Sequence, residues 1–147
     1  MNNVIANPLE LANELRPVLL KINRELRREL HSIGASAGQV SLLVEIRRSP
    51  GIGVSELAER ERMSAAGMSG HVERLVKAGL VERTRDERGD RRRVGLTVTR
   101  EGDNVLRSVR SRRNAWLASR LRGLEPEELE AIEAAIAPLA RLLDVAE

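Results

Sequence analysis

The sequence predicts a mainly α-helical protein carrying one small antiparallel β-hairpin, an α+β class. Three observations predict it. Apolar residues recur at helical intervals over most of the chain, as in Leu11, Leu15, Val18, Ile22 and Leu26, or in Met68, Val72, Leu75 and Val76. The period changes to alternation in one region only, Leu80–Arg85 and then Val94–Val98, on either side of a polar tip. Glycine or proline punctuates the changes of period, at Gly34, Pro50, Gly51, Gly79, Gly123 and Pro126.

The first helix is expected from about Leu9 to Ile33, with Gly34 ending it. Pro17 removes one backbone hydrogen bond and is expected to bend or interrupt the first turns. Ser36 followed by Gln39 is a capping-box pattern, opening a second helix that reaches about Arg48. Ser49-Pro50, Gly51 and Gly53 mark a turn around a short extended piece, Ile52 to Val54. Ser55 is expected to cap a third, short helix, Glu56 to Glu61. Ser64 is a good N-cap for the next helix, residues 64–78. That helix contains Gly67 and Gly70, each costing a helix interior about 1 kcal/mol relative to alanine. The hairpin follows Gly79, with its polar tip at Asp86 to Arg91. Thr99 starts a long helix whose first turn holds Glu101 and Asp103, where acids suit the helix dipole. It runs through Val105, Val109, Trp116 and Leu117 to about Leu121, and Gly123 stops it. Pro126 opens the last helix, with Leu129, Ile132, Ile136, Leu139 and Leu143 as its apolar stripe and Pro138 placed to kink it.

Composition excludes several classes of function. At 147 residues the chain is one domain, or one domain with appendages, and 41% apolar residues suffice for a core. The expected division is a helical N-terminal part, residues 1–34, a central domain, 35–99, and C-terminal helices, 100–147. No segment approaches the roughly 18 to 20 apolar residues of a membrane span, so no membrane association is expected. No secretory signal is visible at the N-terminus, so the expected location is cytoplasmic. The absence of cysteine removes disulfides, thiolate nucleophiles and thiol redox sensing. The glycines at 51 and 53 are not followed by Lys-Ser/Thr, and His31 and His71 have no obvious catalytic partner. No enzyme activity, cofactor or metal site is expected; zinc would need carboxylates recruited from elsewhere.

The net charge of +3 is unevenly spread. Residues 1–59 carry seven basic and seven acidic side chains, residues 60–113 fifteen and eight, and residues 114–147 three and seven. A basic middle between a neutral and an acidic end implies a polyanionic partner for the middle. Helix, short turn, helix and basic-tipped hairpin is the order of a winged helix-turn-helix, whose second helix enters the major groove of DNA. With Met68 at the centre of the buried stripe and 100° per residue, Ala66, Gly70, Arg74 and Lys77 fall on the opposite face, with Gly67 at its edge. Small residues in the first half of that face let the backbone and Ser69 approach base edges, so the two glycines read as clearance. Another reading of Gly67 is that it admits a neighbouring helix. His71 lies at the flank, suited to a phosphate or a buried hydrogen bond. In the hairpin tip, Arg85, Arg88, Arg91, Arg92 and Arg93 suit a narrow minor groove, and Asp90 is read as a brace orienting Arg92. The hydroxyls at the expected helix starts, Ser36 and Ser55, are candidate phosphate contacts.

Ser55-Glu-Leu-Ala58, Met68-Ser69, Val72-Glu-Arg-Leu75, Gly79-Leu-Val-Glu-Arg83, Asp90-Arg-Arg92 and Leu96-Thr-Val-Thr with Gly102 resemble the MarR family of bacterial transcriptional regulators, over almost the whole chain. The resemblance implies a homodimer with interlocked N- and C-terminal helices, each protomer offering one winged domain to a palindromic double-stranded DNA operator. It also implies repression as the commonest mode and a small-molecule effector in a cleft between the dimer helices and the winged domain. Where some relatives have asparagine or threonine on the recognition helix, this chain has Ala66, Gly67, Ser69 and Gly70. Apolar stripes on three flanking helices support the dimer independently, since a winged domain of about 65 residues cannot cover them all. For the effector cleft the candidates are Arg16, Arg24, Arg27 and the lone aromatic residue, Trp116. Core or dimer-interface packing is the preferred role of Trp116, and surface pairing with Glu25 or Glu29 that of the three arginines.

Overall fold

The computed structural model describes residues 7–85 and 94–144 of the chain. Two compact units are formed, Met1–Arg112 and Arg113–Glu147. Helix α1 spans Pro8–Arg28, with the Asn7 side chain accepting from the Leu9 N–H at 3.0 Å and Pro8 where no N–H is needed. It runs unbroken through Pro17, so of the expected bend or interruption the interruption does not occur. One missing hydrogen bond is outweighed by the turns on either side. The helix stops at Arg28, short of the expected Ile33. Leu30 is drawn into the core at 1% exposure, and its N–H bonds to the Arg27 carbonyl three residues back. The chain tightens into a 3-10 turn, His31–Ile33, and Gly34 reverses it at φ +75°.

Helix α2, Ala37–Arg48, begins with the predicted reciprocal cap. Ser36 Oγ accepts from the Gln39 N–H at 3.1 Å, and Gln39 Oε1 accepts from the Ser36 N–H at 3.2 Å. The extended piece after it is shorter than expected. Ile52 alone pairs with Leu96, and Val54 already belongs to helix α3, Val54–Arg60. Ser55 therefore does not cap α3. The cap is Gly53, whose carbonyl accepts from Leu57 N–H at 3.0 Å, and Ser55 stands exposed inside the first turn. The helix starts early because the Ile52 rung has already fixed the preceding backbone.

Helix α4 covers Ala65–Lys77, strands β1 and β2 cover Val81–Arg85 and Val94–Val98, and helix α5 covers Arg100–Leu121. The strands are antiparallel, with Val81 opposite Val98, Arg83 opposite Leu96 and Arg85 opposite Val94. At the strand-to-helix junction, the Thr99 hydroxyl donates to the Gly79 carbonyl at 2.6 Å and accepts from the Gly102 N–H at 3.1 Å. Helix α6, Pro126–Arg141, has Pro126 at its start and continues through Pro138.

One core serves the first unit. Leu30, Leu43, Ile46, Leu57, Met68, Val72, Leu75 and Leu96 are at most 1% exposed within it. Neither α1 nor α6 contains a buried residue. Leu9, Leu11, Val18, Leu19 and Leu20 on α1, and Leu129, Ile132 and Ile136 on α6, are exposed. Among the described residues no helix is long and apolar enough to cross a membrane.

Candidate nucleic-acid interface

Met68, Val72 and Leu75 are fully buried, and they fix which side of α4 faces outward. The Ser64 side chain starts the helix by accepting from the Gly67 N–H at 3.1 Å. Ala66, Gly67, Ser69, Gly70, Arg74 and Lys77 are all exposed, and His71 is half-buried at the flank. A β-carbon at Gly70 would have nothing within 4 Å, so the fold itself does not require a glycine there. At Gly67 a β-carbon would come within 3.1 Å of Ser64 Oγ and 3.8 Å of the Met63 methyl. No neighbouring helix presses on Gly67; its closest constraint is its own cap. Arg74 and Arg85 make no ion pair with any described side chain, leaving two cations available to an external anion.

The base of the wing is pinned to the turn before α3. The Gly51 N–H donates to the Leu96 carbonyl at 2.8 Å, and the Leu96 N–H donates to the Ile52 carbonyl at 2.9 Å. A β-carbon on Gly95 would come within 2.6 Å of the Gly51 oxygen, so β2 and the turn before α3 approach backbone to backbone. Arg85 lies exposed at the end of β1. Arg88, Asp90, Arg91, Arg92 and Arg93, with the Asp90–Arg92 brace, lie outside the described residues.

One residue of this face escapes sequence reasoning. At 100° per residue Glu73 falls between Ser69 and Ala66 on the outward side of α4. It forms an ion pair with Arg83 of β1 at 2.8 Å. The hydrogen bond and charge of Arg83, with a smaller contribution from Lys77, hold the Glu73 carboxyl below its usual value. The helical projection gives its direction, but its partner lies on a strand ten residues away.

The remaining sequence-predicted positions are dispersed. Ser36 Oγ is engaged in capping α2, while Ser55 is exposed. A cavity of about 530 Å³ sits between the end of α1 and the start of α2, lined by Arg27, Leu30, His31 and residues 34–37. Arg16 and Arg24 are exposed on α1. Glu25 pairs with Arg28 at 3.2 Å and not with Arg24 or Arg27 as expected. In the second unit Trp116 is half-buried, with the Arg120 guanidinium 5.6 Å from its ring centre.

Comparison with known proteins converges on one family. The sequence model of the MarR family matches residues 35–94. The HTH-type transcriptional repressor MdtR of Bacillus subtilis is 30% identical over 115 residues, covering 78% of this chain and 74% of MdtR. The HTH-type transcriptional regulator MT0903.1 of Mycobacterium tuberculosis is 28% identical over 134 residues, covering 91% and 93%. The crystal structure of a putative transcriptional regulator from Pseudomonas aeruginosa superposes with a TM-score of 0.78 at 31% identity, over 95% of this chain and 96% of that one. With the packed α3–α4 pair, the paired hairpin and these likenesses in hand, the chain belongs to the MarR family of winged helix-turn-helix, DNA-binding regulators of transcription.

Proposed function

We propose that the protein is a repressor that binds a palindromic operator as a homodimer. The recognition helix, residues 64–78, enters the major groove, and the wing, residues 84–93, enters the adjacent minor groove. Residues 35–99 act as the DNA-binding domain, and residues 1–34 and 100–147 form the dimer. The observation that carries this reading is the outward face of α4, small and open from Ala66 to Gly70 and cationic from Arg74 to Lys77. Base edges are read from the N-terminal part of such a helix, and cations further along it meet phosphates. The exposed apolar faces of α1 and α6 support self-association. A two-fold dimer then meets half-sites about 10 bp apart. A small-molecule effector acting near Arg16, Arg24 and Arg27 of α1 would release the DNA, and the cavity beside Arg27 gives it room.

The test is selection of duplexes from a randomised library, followed by titration of the selected duplex with wild type and Gly70→Leu. Wild type selects a palindrome. The leucine variant stays folded and dimeric but loses the selected site, because its side chain projects where the helix must close on the groove. Undiminished binding by the leucine variant refutes the docking of α4.

A further inference from the structure

The proposed DNA-binding face contains an acid that its electrostatics alone disfavour. Glu73 is half-exposed on the same side of α4 as Ala66 and Lys77, where a phosphate backbone would repel it. Its carboxylate reaches across to the Arg83 guanidinium at 2.8 Å, joining the recognition helix to the strand that leads into the wing. The other fixed points of the wing base lie elsewhere: the Ile52–Leu96 rung and the Gly51–Gly95 contact hold β2, and Thr99 holds the end of the hairpin. Between β1 and the outward side of α4, the described residues form this ion pair and no other.

Resting on the DNA-binding reading above, we propose that Glu73 is a positioning residue for specificity. Its pair with Arg83 ties β1, the strand that leads into the wing, to the recognition helix, so that both grooves are engaged in one register. The charge it places on the face lowers affinity for every duplex. The geometry it imposes favours the duplex whose grooves match. Glu73 thereby lowers indiscriminate binding and raises the ratio of specific to non-specific affinity, as repulsive elements do in other selective interfaces.

The test uses the full chain and two probes, the duplex selected by wild type from a randomised library and a scrambled duplex of equal length. Wild type, Glu73→Gln, Arg83→Gln and the double variant are titrated at fixed salt, with thermal melts alongside. Glu73→Gln is expected to bind the scrambled duplex about three-fold or more tighter, with the selected-to-scrambled ratio falling about ten-fold. The double variant should lose little more of that ratio than either single variant, because one pair has been broken. An unchanged ratio in Glu73→Gln makes the acid a background charge and overturns the proposal. A ratio lost in Glu73→Gln but kept in Arg83→Gln also overturns it, assigning Glu73 to direct contact with a cytosine amino group. If wild type prefers no duplex, the DNA-binding reading itself falls. A selective wild type with additive variants means that the two residues act independently, and this also overturns the proposal.

Discussion

Arg62 occupies the left-handed region at φ +53°, in the turn between α3 and α4, a conformation that costs a non-glycine residue roughly 1 kcal/mol. Arg62→Gly should relieve that cost against the greater freedom of a glycine in the unfolded chain, leaving a net gain of no more than about 0.6 kcal/mol in urea unfolding. Gly70→Ala should stabilise by about 1 kcal/mol for a different reason: the position is an open helix interior where a methyl group meets nothing. A loss of stability in that variant would mean that the fold, and not an external surface, requires the glycine. Ser64→Ala should cost about 1 kcal/mol, since the Gly67 N–H loses its acceptor. At this scale the sequence was legible where the interaction was local. The Ser36–Gln39 box and the Ser64 cap lie within one turn of chain, so their residue types announce them. Ser55 had the right type too, but the start of α3 is set by the pairing of Ile52 with Leu96, over forty residues later, which no local pattern discloses.

The elements hold their relations through a few contacts between residues far apart in sequence. The Glu73–Arg83 pair is one, and its response to pH has a definite sign. Because the folded carboxyl lies below its usual value of 4.5, the pair contributes stability that is present above that value and lost as pH falls through the lowered folded one. A double-mutant cycle on Glu73 and Arg83, measured by urea unfolding, should therefore give a constant coupling from pH 6 to 8 and a vanishing one in strong acid. A coupling that changed near neutrality would assign the titration to another group. The wing base offers a second case. Gly95→Ala forces a β-carbon against the Gly51 carbonyl, which is backbone and yields poorly, so a loss of about 1–3 kcal/mol is expected. Helix periods and the hairpin alternation were readable because each element carries its own stripe. The early end of α1 was not. Leu30 leaves the helix to enter a core whose other walls, Leu43, Leu57 and Val109, come from distant segments.

For the whole molecule the decisive quantity is the apolar surface that one copy leaves uncovered. Ile132 and Ile136 lie four residues apart on α6, hence on one face, and are 43% and 63% exposed. Covering the part of each that is still exposed is worth roughly 1 kcal/mol, about half the value for full burial, and a two-fold interface counts every one twice. In the proposed dimer, Ile132→Glu with Ile136→Glu replaces that gain with four carboxylates across the two-fold axis, so sedimentation should show a monomer. Neither residue belongs to the core of the first unit, so the winged unit should retain its helical circular dichroism. DNA binding then separates the contributions of site and pairing. Each winged unit keeps its α4 face, but the second half-site no longer binds at the high effective concentration that linkage provides. Affinity for a palindromic duplex should fall by about 10² to 10⁴-fold, while affinity for a single half-site stays near its original value. The logarithmic salt dependence should shrink by about half, since one set of cations now displaces counterions where two did before. A variant that remained dimeric would move the interface away from α6. A monomer that bound the palindrome undiminished would mean that one winged unit suffices, and the two-fold reading of the operator would have to be abandoned.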